Sequence, residues 1–300
     1  MKRVSDIGSK WSQVGLSWLN AVGTYARRKP LGTIGAVCLL VMIVMALAAP
    51  WLATHDPNKM SAANVFKSPE AHHWLGTDNY GRDLYSRIVY GSRVSLYVGF
   101  ISVAVGSGIG AILGITGGYS LGKVDLVIQR VVDIVLAFPP LLLAMVISCS
   151  LGSSLNTVVL AIAIPMAAGV CRIMRSQAIS IREYTYIDAA RSIGCSQTRI
   201  LARHVAPNCI AVLTVIATAQ LSNAILTEAA LSFLGFGVPP PHPSWGRMLA
   251  AESLQYIRRA PWLLIAPGVA LSLAVYGFNL VGDAVRDLLD PMERGRGSQR

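Results

Sequence analysis

Charge is scarce in this chain, and negative charge scarcest. Only 14% of its 300 residues are Asp, Glu, Lys or Arg, and just 15 are acidic, where soluble domains carry about 25% charged residues. With 53% hydrophobic residues and a mean hydropathy of +0.53, that scarcity excludes an ordinary soluble domain. The five cysteines (Cys38, Cys149, Cys171, Cys195, Cys209) form no Cys-x-x-Cys pair and no metal-like spacing, so they read as small packing residues. His72-His73 has no Cys at ligand spacing beside it, and no metal site is expected there. No Ser/His/Asp set and no His-Glu-x-x-His is found either, so no enzyme activity is expected of this chain.

Long apolar runs are what the chain has instead. Crossing a hydrocarbon core of roughly 30 Å takes about 20 helical residues. Runs of that order lie near 31–53, 94–118, 128–151, 155–174, 208–236 and 261–282. The expected fold is therefore an all-α polytopic membrane protein with six spans. It would comprise a tail over 1–30, a first span over 31–53, an external segment over 54–93, a core over 94–283 and a tail over 284–300.

Cation placement sets the orientation. Eighteen of the 26 Lys and Arg residues fall in the N-terminal tail, around Lys123 and Arg130, in 172–207, or from Arg286 onward. The positive-inside tendency makes those segments cytoplasmic, with both termini inside. The net charge of +11 then needs no nucleic acid to explain it, and contact with anionic membrane lipid is expected. Residues 11–25 place Trp11, Val14, Trp18, Val22 and Tyr25 on one stripe, which suits an interfacial helix on the inner leaflet or, given the glycines and serines between them, a disordered tail.

Several patterns carry a physical expectation. Gly106, Gly110, Gly114 and Gly118 recur every four residues in span two, a groove for helix packing or, less simply, a pore lining. Pro139-Pro140 and Pro165 interrupt spans three and four, as bends or as kinks around a route. Asp83 and Arg87 stand four apart, as an ion pair on a helix would. Glu228 is the ionisable residue well inside a span, either facing a partner or wet cavity or reaching water at the outer interface. With Asn223 it makes a candidate pathway pair. Four prolines, Pro239 to Pro241 and Pro243, stiffen the external loop 237–260 ahead of an amphipathic helix near 245–257.

Gly117 to Lys123 matches the first seven positions of a phosphate-binding loop, but Val124 replaces the metal-binding hydroxyl and a membrane helix precedes it where a strand is required. The chain is thus expected to bind no nucleotide cofactor of its own. The polar insert Arg172–Pro207, its loop proper over 175–207, reads as a helix over Tyr184–Ser192, a break at Gly194 and a second helix over Ser196–Val205. Such an insert is a docking surface.

With Asp188-Ala189-Ala190, Gly194 and Pro207 at these spacings, the chain resembles the permease subunits of bacterial ABC importers, of the dipeptide/oligopeptide/nickel class. Their cytoplasmic signature is Glu-Ala-Ala, three residues, Gly, nine residues, Ile-x-Leu-Pro; here Asp188, His204 and Ala206 depart from it. Leu75-Gly76-Thr77-Asp78 with Gly81-Arg82-Asp83, Leu231 to Gly235, and Asp290-Pro291 resemble the same family. The resemblance implies an ABC importer type I transmembrane domain in the bacterial inner membrane. It implies a heterodimer with a homologous permease, two ATP-binding subunits carrying ATP and Mg, and a periplasmic solute-binding protein. Tyr184, Asp188, Ala189, Ala190, Arg191, Gly194 and Pro207 would form the ATPase dock. The cargo would be di- or oligopeptides or a similar small solute. An ion-gradient-driven carrier is the rival, and it predicts several midplane carboxylates and an inverted repeat.

Overall fold

A computed structural model describes residues 30–250 and 255–289. The interfacial stripe of residues 11–25, both chain tails and part of the 245–257 helix expectation lie outside these residues. Five described helices are long and apolar enough to cross a membrane, and one bent helix pair makes a sixth candidate crossing.

Helix α1 (Pro30–Leu47) opens on a proline, whose missing N–H costs nothing in a first turn. It meets α11 (Trp262–Leu289) where Gly35 and Gly277 bring the two backbones together. Short α2 (Ala49–Leu52) leads into an irregular segment that ends at Asp83.

Helix α3 (Leu84–Ser120) begins ten residues before the expected span and runs 37 residues, about 56 Å at 1.5 Å per residue. Asp83 starts it as N-cap: its Oδ2 accepts from the Ser86 N–H at 2.8 Å and the Ser86 hydroxyl at 2.7 Å. Burial pushes the Asp83 carboxyl up, but the bonds from Ser86 and His73 outweigh it and hold the group below its ordinary value. The expected Asp83–Arg87 pair is not made, because capping consumes the carboxylate. Arg87 instead donates to the Pro57 carbonyl at 2.9 Å and lies 3.8 Å from Asp78, which also holds Arg82 at 2.6 Å.

The third expected span is two helices, α4 (Gly122–Leu136) and α5 (Pro140–Leu151), set at 89°. Tandem Pro139-Pro140 is the cause. A proline lacks the donor to continue α4 and clashes with the turn before it, yet Pro140 is well suited to begin α5. Helix α6 (Leu155–Arg182) starts at the Ser154 cap and runs past the expected end at 174, carrying Pro165 inside it.

Helix α7 (Thr185–Ser192) follows, then α8 (Gln197–Ile200). The second expected helix, Ser196–Val205, runs on without interruption into the next span. A π-turn over Leu201–Val205 joins α8 to α9 (Ala206–Phe233). Wider i→i−5 bonding there, including Ala206 N–H to the Leu201 carbonyl, absorbs the donor that Pro207 lacks, and Asn208 Nδ2 donates to the His204 carbonyl at 2.6 Å. Beyond α9, Trp245 leads α10 (Trp245–Met248) and lies fully buried on α3, donating to the Ile88 carbonyl at 3.0 Å.

The most extensive helix contact is between α3 and α6, and the larger core cluster follows it from Val94 down to Ile187 and Ile200. Ser102 Oγ bonds the Val159 carbonyl at 3.3 Å. Below it, Gly106, Gly110, Gly114 and Gly118 face the carbonyls of Ala163, Ala167, Cys171 and Arg175. Every step of four on α3 is matched by a step of four on α6, so the helices run parallel with their backbones in direct contact.

Candidate functional site

Helix α7 projects where α3 and α6 end. Its two faces differ in kind. Ile187 and Ala190 turn inward and are buried with Ile181, Ile200 and Val205. Tyr184, Asp188 and Ala189 turn outward and are exposed, as is Ile193 at 80%. Ala190, expected on the docking surface beside Ala189, therefore packs against its own chain, where a longer side chain would lift α7 off the core.

Gly194 closes α7. The Cys195 N–H bonds the Ala190 carbonyl at 3.1 Å and the Gly194 N–H bonds the Arg191 carbonyl at 3.0 Å, the paired bonds of a Schellman end. That geometry needs a left-handed residue, and Gly194 has φ of +82°. No other atom approaches within 4 Å of the position of its absent Cβ, so backbone conformation alone calls for glycine. Arg191 reaches back to Asp188 at 2.9 Å, so the signature carboxylate and the following arginine are paired to each other. Pro207 is exposed at the start of α9.

Three contacts that sequence spacing does not reveal brace the helices around α7. Tyr119 Oη donates to Gln197 Oε1, and Arg182 donates to the Tyr119 carbonyl at 3.0 Å. Arg175 forks onto Asp125, with bonds of 2.6 and 2.5 Å. The first two tie α8 and α6 to the end of α3, and the third ties α6 to α4. The available signal was the presence of charged residues at span ends with no local partner, but a pair 50 residues apart has no periodicity to betray it. Asp133, near Arg130 in sequence, bonds Arg172 at 2.6 Å instead.

The two pathway candidates separate. Asn223 is exposed on α9 and donates to Gln220 at 2.9 Å. Glu228 is wholly enclosed, facing neither a wet cavity nor an interface. Its Oε1 accepts from the Ser232 hydroxyl at 2.7 Å and the Ser244 hydroxyl at 2.8 Å, which fastens the 234–244 loop to α9. Beside that loop, a cavity of about 490 Å³ is lined by Asp78, Arg82, Arg87, Pro240 and Arg247.

A membrane bundle with one capped, outward-facing helix beyond its longest spans now has its parallels. Residues 106–295 match the family model described as the binding-protein-dependent transport system inner membrane component. The chain belongs to that family. Residues 23–69 match the N-terminal transmembrane domain of oligopeptide transport permease C. A putative peptide transport system permease protein of Brucella suis is 43% identical over 258 residues, 86% of each chain. The dipeptide transport system permease protein of Alkalihalophilus pseudofirmus is 42% identical over 88% of this chain and 87% of its own. A probable D,D-dipeptide transport system permease of Escherichia coli is 40% identical over 90% of each. Among solved structures, a chain of the MetNI methionine ABC transporter, in an inward facing form, gives a TM-score of 0.52 at 18% identity, covering 68% of this chain and 96% of that one. That likeness shows the fold, an all-α ABC importer type I transmembrane domain. This permease is a multi-pass inner-membrane protein, and a carrier driven by an ion gradient finds no support among its relatives.

Proposed function

We propose that this permease pairs with a homologous but distinct permease to form the route by which an ATP-driven importer takes up di- or oligopeptides. Two ATP-binding subunits, holding ATP and Mg, seat against α7 of each permease, and a periplasmic solute-binding protein delivers the peptide to the opposite face. Both termini and α7 then lie on the cytoplasmic side, and lipid covers the exposed apolar faces of α1 and α11.

The observation that carries this reading is the two-faced α7. Tyr184, Asp188, Ala189 and Ile193 stand exposed on its outer side, while Ile187 and Ala190 anchor it to the helices that cross the membrane. A pull on α7 reaches α6 and α8 through the core that Ile187 and Ala190 share with Ile181 and Ile200, and passes from α8 to α3 through Gln197–Tyr119 and from α6 to α4 through Arg175–Asp125. Peptide as cargo rests on the names of the relatives above.

The deciding experiment is reconstitution. The permease, its partner permease and the ATP-binding subunits are placed in proteoliposomes and supplied with binding protein and a labelled dipeptide. Uptake should require ATP and both permeases. Uptake by this chain alone, without a nucleotide-hydrolysing companion, would overturn the proposal.

A further inference from the structure

Far from α7, three side chains with metal-binding donors converge where the segment after α1, the loop before α3 and the start of α3 meet. His73 Nδ1 lies 2.8 Å from Asp83 Oδ1, and His55 Nδ1 lies 3.9 Å from the same oxygen. All three donor atoms fall within 4.8 Å of one another. The imidazole rings lie 4.7 Å apart at their centroids.

Zinc bonds to nitrogen and oxygen at about 2.0–2.1 Å in tetrahedral geometry, which sets ligand atoms about 3.4 Å apart. The two observed separations bracket that value. His73 moving outward and His55 inward would set both nitrogens at that separation from Asp83 Oδ1. His73 would bind through Nδ1 with its ring proton on Nε2, so the metal takes the place of the proton now shared with Asp83.

The surroundings already aim the donors. Asp83 Oδ2 is occupied by the Ser86 N–H and hydroxyl and by Thr54 Oγ at 3.4 Å, which leaves Oδ1 to the histidines. The backbone N–H of His55 is held by Ser86 Oγ at 3.0 Å. Such secondary contacts fix the orientation of ligating groups in metal sites. Asp83 and His73 are buried, and the His55 side chain is 40% exposed beside an open cleft that includes Thr54, Asp56, Asn58 and Tyr90. Water can reach a fourth coordination position from there. Thr54 Oγ1 lies 3.0 Å from His55 Nδ1 and holds that imidazole beside the carboxylate, as a secondary contact would.

We propose that His55, His73 and Asp83 form a site for a divalent transition-metal ion, with zinc the ion suited to two imidazoles, one carboxylate and an open position. The bound ion clasps three segments that are separate in sequence and steadies the cap on α3. This site is independent of the transport reading and of the cargo.

The test uses the purified full chain in detergent with no substrate. Micromolar zinc chloride should raise the melting temperature by several degrees, where magnesium chloride should not, and EDTA should reverse the rise. Cobalt(II) should give the intense visible bands of a four-coordinate ion. His55→Ala keeps the buried His73–Asp83 contact, so it should fold and yet lose both responses; His73→Ala should lose them as well. No zinc response in the native chain, or a response that survives both substitutions, would overturn the site.

Discussion

Gly110 and Ala167 hold the molecule's main seam closed: a Cβ on Gly110 would stand 2.5 Å from the Ala167 carbonyl oxygen. Gly118 stands in the same relation to Arg175, also at 2.5 Å, and Gly106 faces Ala163 at 2.9 Å. With no hydrophobic force between helices in lipid, close backbone packing of this kind supplies the attraction.

Gly110→Leu should therefore destabilise the permease by about 1–3 kcal/mol or prevent its folding, the usual cost of overpacking. Gly108 lies on the same helix with nothing within 4 Å of its Cβ position, so Gly108→Leu should leave the melting temperature nearly unchanged. Equal losses from the two substitutions would refute the seam.

Asp125 and Arg175 join α4 to α6 through two short bonds. Asp125→Asn should lower stability by about 1–3 kcal/mol, since it leaves a guanidinium poorly paired. The charge-swapped double variant, Asp125→Arg with Arg175→Asp, should recover part of that loss. Thermal melts of the native protein, Asp125→Arg, Arg175→Asp and the double variant give the coupling directly, and strict additivity would show that the pair contributes nothing.

At Gly194 the demand is conformational, because the space around it is open. Asn tolerates left-handed backbone and should preserve uptake and ATPase coupling. Val, branched at Cβ, should cost about 1–2 kcal/mol locally and uncouple hydrolysis from transport. Similar uptake by Gly194→Val and the native protein would mean the turn is not used.

Ile193 is an apolar side chain left in solvent on the outer side of the α7 turn. Ile193→Asp should keep the native melting temperature while reducing co-purification of the ATP-binding subunits severalfold. Undiminished co-purification would move the dock elsewhere on the chain.

Glu228 predicts a loop effect. Glu228→Gln retains an acceptor for Ser232 and Ser244 and should behave nearly as native. Glu228→Leu strands both hydroxyls, at a cost of about 1–3 kcal/mol, and should expose the 234–244 loop to proteolysis. Limited digestion in detergent distinguishes the two, and identical protection would contradict the fastening role.

Five of the six expected spans were readable because a hydrocarbon core demands runs of about 20 apolar residues whatever they pack against. The glycine repeat was readable in the same way, since a four-residue period keeps residues on one helix face. Span limits were harder to read. α3 and α6 extend past their apolar runs because capping at Asp83 and packing near Arg175 and Arg182 support polar turns that hydropathy rejects. The destination of Asp83 was misread because a carboxylate can cap or pair, and only neighbours from elsewhere in the chain decide which.

Composition and period alone determined that this chain crosses a membrane repeatedly and carries a short helix ended by Gly194, since both follow from local chemistry. Tertiary structure decided which carbonyls the glycines meet, that Ala190 faces inward while Ala189 faces out, that Glu228 is sealed beneath a loop, and that His55 and His73 share Asp83. Those outcomes depend on residues tens to hundreds of positions apart, and contact at that range is a property of how helices stack, which no local pattern encodes.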